Sequence, residues 1–93
     1  MPVAVVLPRA LYPYSRGSST LHVDEPCASV AEALSLVGRR WPGVLDRVMT
    51  EQGAVREHVN VFVGEESIRF ARGLATPIRD GDTIMLVAAV SGG

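Results

Sequence analysis

Apolar residues fall into short bursts along this chain, and the spacing inside each burst selects an element. The opening burst "VAVVL", residues 3–7, is rich in β-branched side chains and closed by Pro8, which predicts a first strand. Residues 8–19 are rich in Pro, Gly and Ser and read as a long loop; "TLHV" then alternates as a second strand. In "SVAEALSLVGRRW", Val30, Ala33, Leu34, Val37 and Trp41 recur on one helical face. Ser29 stands at the N-cap with Glu32 three residues on, as a capping box requires. Pro42-Gly43 ends that helix, and "VLDRVM" forms a short second turn with Leu45, Val48 and Met49 on one side.

The second half reads as strands. "HVNVFV" places Val59, Val61 and Val63 on one face, and Gly64-Glu65 turns into a short strand "SIRF". "ARGLATPIRDGD" is irregular, with Asp80-Gly81 a turn signal. "TIMLVAAV" is the last strand and is apolar on both faces, so it is central or keeps one face for a partner. One amphipathic helix across a mixed sheet is an α+β arrangement, in a single domain spanning residues 1–93. If the first and last strands are both central, they pair in parallel.

Composition removes most chemistries. All nine cationic residues are Arg, scattered along the chain against ten acids, so no basic stripe for nucleic acid is expected. No lysine occurs, which excludes Schiff-base chemistry and a phosphate-loop lysine. One Cys (Cys27) and two His (His22, His58) do not make a metal site. Cys27 precedes the helix, yet with no partnering base in view it reads as inert. The carboxylate pairs Glu65-Glu66 and Asp80/Asp82 read as turn residues. The start lacks a charged leading region, and no apolar run approaches the roughly 20 residues a membrane span needs. A cytoplasmic protein without membrane contact is the expectation.

What remains is the end, "VAAVSGG". Glycine lacks Cβ, so Gly92 and Gly93 fit a channel too narrow for side chains and leave a terminal carboxylate open. A carboxylate is a poor electrophile, but joining it to AMP supplies a leaving group that a sulfur nucleophile can displace. The protein would then be a reactant, as a group-carrying cofactor is.

"HVNVFVGEESIRF" and "GLATPIRDGDTIMLVAAVSGG" resemble the ubiquitin-like sulfur carriers, the MoaD/ThiS family, and the likeness extends more loosely over the whole chain. The resemblance implies a β-grasp fold and no activity of its own. It implies that a ubiquitin-activating-like adenylyltransferase uses ATP to adenylate the Gly93 carboxylate. A sulfur donor then leaves a Gly93 thiocarboxylate, with Gly92 providing extended access, and a sulfur-accepting enzyme consumes the sulfur. No permanently bound cofactor is implied. Met85 and Val87, opposite Ile84 and Leu86, form either a second buried layer or a partner-docking face; docking is the reading taken here. Family members often carry a proline where this chain has Ala88-Ala89, which leaves the strand end less rigid. Pro8, Leu11, Pro13 and Gly17 resemble the cysteine-branch carriers, so a cysteine synthase is the expected acceptor. Pairing with the large subunit of molybdopterin synthase is the alternative. A β-grasp binding module without carrier chemistry and a protein modifier stay open as further classes.

Overall fold

The computed structural model describes residues 2–88. Gly92 and Gly93 therefore lie outside the described residues. Five strands form one mixed sheet: β1 (Val3–Val6), β2 (Thr20–Val23), β3 (Val59–Val63), β4 (Glu66–Ser67) and β5 (Thr83–Ala88). Their order is β2-β1-β5-β3-β4. The first and last strands are neighbours and run parallel, Val5 opposite Ile84, while β5 pairs antiparallel with β3, Val61 opposite Leu86. The last strand is thus central.

Two helices cover one face of this sheet. α1 (Val30–Arg40) starts where expected: the Ser29 hydroxyl accepts from the Glu32 N–H at 3.2 Å. The Glu32 carboxylate returns to the Ala28 N–H at 3.4 Å, one residue ahead of the cap. Val30, Ala33, Leu34 and Val37 are buried against the sheet, whereas Trp41 is half-buried at the helix end. Pro42 does more than stop α1. It opens α2 (Pro42–Val48), because its fixed φ and missing N–H suit the first turn of a helix. Val44 and Val48 are the buried side of α2; Leu45 and Met49, expected there, are half-buried. The two helices approach closely at Gly38, where a Cβ would collide with the Leu45 side chain.

Two local expectations need correction. The strand expected over "SIRF" is only two residues, after which Ile68–Phe70 winds into a 3-10 turn. The Ser67 hydroxyl accepts from the Arg69 N–H at 3.3 Å and diverts the chain. That turn buries Ile68 and leaves Phe70 outside, 86% exposed. The loop after β1 is also more ordered than its composition suggests: Arg9–Tyr14 is a 3-10 helix that inserts Leu11 into the core. The irregular segment before β5 holds a 3-10 turn at Gly73–Ala75 and is sutured to α1. Val30 N–H donates to the Thr76 carbonyl at 3.0 Å, and Ile78 N–H to Ala28 at 3.1 Å.

Candidate functional site

The chemistry expected of this chain sits beyond β5, so the geometry that matters is how β5 is held. Ile84 and Leu86 are 0% and 2% exposed, and the strand is bonded on both edges. Its last described residue, Ala88, pairs with Val59. A tail leaving such a strand has a fixed root, because moving it would unpair two neighbours and empty the core.

The opposite face of β5 points away from the helices. Met85 and Val87 are 41% and 38% exposed, so the second buried layer is not what forms. Pairing extends this face: Val6 and Phe62 flank Met85, Asn60 flanks Val87, and Ala4 lies beside Thr83. Val6, Phe62, Asn60 and Ala4 are half-buried. The sequence reading missed Val6 and Phe62 as members of this face. The signal was present, since in "VAVV" and "VNVFV" the apolar residues continue onto the side that alternation assigns to solvent.

The other candidates separate from it. At the tail end of β5, a cleft of about 1090 Å³ lies between the Arg9–Tyr14 helix, α2 and the start of β3. Its walls include Arg9, Arg47, Arg56, His58 and Ala88, with Asp46 and Glu51. The Arg47 guanidinium lies 4.7 Å over the Tyr14 ring, and Arg56 Nε donates to the Asp46 carbonyl at 3.0 Å. This cationic grouping was not legible beforehand, because its members come from separate elements.

Cys27 is half-buried; burial, followed by the carboxylates of Glu32, Asp80 and Glu25, pushes its thiol up from the ordinary value. A thiol so placed is a poor nucleophile near neutral pH. Asp82 serves a turn, its carboxylate accepting from the Arg79 N–H at 2.8 Å. His22 is exposed on the outer face of β2, opposite Ala4 and remote in the sheet from β3, which His58 precedes. Among the described residues no three of His, Cys, Asp and Glu gather as metal ligands, and no helix is long and apolar enough to cross a membrane.

Known proteins resemble this arrangement over its full length. A model of the ThiS family matches residues 5–93. The sulfur carrier protein CysO of Mycobacterium tuberculosis is 32% identical over 95 residues, covering all of both chains. Among solved structures, the Amycolatopsis orientalis BexX/CysO complex contains a chain that superposes with a TM-score of 0.87 at 32% identity. That match covers 98% of this chain and 99% of that one. SAMP1 from Haloferax volcanii, a small archaeal modifier protein, superposes at 0.84 with 29% identity and full coverage of both chains. With these neighbours the mixed sheet and its crossing helix are a β-grasp fold. The relatives named are carriers and modifiers rather than enzymes.

Proposed function

This chain belongs to the ThiS family, and from that premise we propose that it is a sulfur carrier whose working atoms are those of the Gly93 carboxylate. The observation that carries the reading is the full-length likeness to a carrier of the same size, joined to a tail rooted in the central strand. In the first step a carboxylate oxygen attacks the α-phosphorus of ATP, and pyrophosphate leaves. The resulting mixed anhydride has AMP as leaving group. Hydrosulfide adds to the carbonyl carbon, AMP departs with its phosphate oxygen, and the thiocarboxylate remains after loss of the sulfur's proton. The carrier supplies neither acid nor base to these steps; an activating enzyme of the ubiquitin-activating type does. Gly92 and Gly93 present no side chain to that enzyme's channel.

Met85 and Val87 are the proposed contact surface for that enzyme. Two apolar side chains near 40% exposure on a rigid central strand, flanked by Val6 and Phe62, form a patch of the kind that marks interfaces. The sulfur is destined for cysteine synthesis, in keeping with the likeness to CysO. Deleting Gly93 tests the reading: the variant should keep its fold and lose sulfur transfer to a cysteine-synthase-type acceptor. Retained transfer would sink the proposal. Transfer to the molybdopterin synthase large subunit in place of the cysteine-type acceptor would reassign the branch.

The likeness to SAMP1 supports a second reading, in which the same activated terminus is joined to amines on other proteins. With no lysine in the chain, it cannot conjugate to its own side-chain amines. Trypsin cuts this chain last at Arg79, so residues 80–93 left on lysines of target proteins, and lost with Gly93, would establish that use.

A further inference from the structure

We infer that the cationic cleft at the tail end of β5 is a docking collar for an acidic surface surrounding the active-site mouth of the activating enzyme; this rests on the carrier reading above. The reach of the tail is short. Ala88 lines the cleft, and the five residues 89–93 that follow can span only about 17 Å when fully extended. An active site that touches the Gly93 carboxylate therefore brings its own surface against this end of the molecule. Whatever charge the cleft carries faces the partner each time the chemistry takes place.

That charge is opposite in sign to the rest of the chain. The cleft holds three arginines against Asp46 and Glu51, whereas the remainder has six arginines against eight acids, out of nine and ten in all. Arg47 is steered by an aromatic ring and Arg56 by a backbone carbonyl. Neutral partners of this sort fix a guanidinium's direction without cancelling its charge. Arg9 and Arg47 are exposed, as are Asp46 and Glu51, while Arg56 is half-buried, so the lining keeps one positive charge in excess. Peripheral charges at an interface act mainly on the rate of encounter and on the rejection of wrong partners. The collar thus complements the apolar face of β5: Met85 and Val87 supply contact area, and the arginines supply approach and orientation.

The test compares charge reversals at the two ends of β5. Arg9→Glu and Arg47→Glu alter the collar. Arg79→Glu makes the same charge change at the turn that precedes Thr83, at the far end of the strand. Adenylation is followed by pyrophosphate release with a ubiquitin-activating-type adenylating enzyme, circular dichroism confirming that each variant is folded. Each collar variant should raise KM for the carrier about 5–10-fold at low salt, with kcat within about two-fold, while Arg79→Glu stays at the wild-type value. Near 0.5 M salt the difference should close, because the Debye length falls to about 4 Å. Unchanged KM in the collar variants, or an equal rise for Arg79→Glu, would overturn the collar. A lowered KM would overturn it too, showing that the arginines hold the tail's carboxylate back. If the wild-type chain itself releases no pyrophosphate, the carrier reading fails and takes the collar with it.

Discussion

Ser29 shows how much one side chain decides. Its hydroxyl satisfies the Glu32 N–H, one of the donors a helix start leaves without a partner. Ser29→Ala should cost about 1 kcal/mol, read as a lower urea midpoint with an unchanged slope. That cap was legible because everything it needs lies within four residues. The contacts of Arg56 were not, since its partner carbonyl is ten residues away and only the fold brings them together. Cys27 gives a prediction of reactivity. Burial and three carboxylates favour its neutral thiol, so its alkylation at pH 7–8 should be several-fold slower than that of the unfolded chain. The rate should climb only as pH passes above the ordinary thiol range. Fast alkylation at neutral pH would contradict this account of its surroundings.

At the scale of elements, β5 turns Ile84 and Leu86 into the core and leaves Met85 and Val87, the proposed docking face, exposed. Ile84→Ala should lose about 2–5 kcal/mol, because it opens a cavity beneath the central strand. Met85→Asp, one residue along, should change stability by well under half of that while weakening binding to the activating enzyme. Equal losses of stability at the two positions would mean that the outer face is structural rather than free for docking. The strand's central place could be inferred from its apolar composition on both faces, and its parallel pairing with β1 followed from that. The 3-10 segments could not be inferred. Arg9–Tyr14 depends on Leu11 finding the core, and Ile68–Phe70 on a serine hydroxyl competing with the sheet ladder. The α1–α2 contact is equally non-local. At Gly38 a methyl group would meet Leu45, so Gly38→Ala should destabilise by about 1–2 kcal/mol despite alanine's better helix propensity.

For the whole molecule, one central strand leads from the core to the tail, and two surfaces accompany that exit: the apolar outer face and the cationic cleft. The layer arrangement was legible in the chain because the helical and strand periods occupy separate segments. Gly92 and Gly93 were legible as chemistry because few other residues in the sequence offer any. The cleft was hidden because Arg9, Arg47 and Arg56 belong to three parts of the chain. The central claim is that Gly93 accepts sulfur at its carboxylate. Intact-mass spectrometry after incubation with ATP, a sulfide source and an activating enzyme tests it most directly. The expected result is a gain equal to replacing one oxygen by one sulfur, absent when ATP is withheld or Gly93 is deleted. An unchanged mass with activating enzymes that modify CysO-type carriers, or a gain that survives deletion of Gly93, would contradict it.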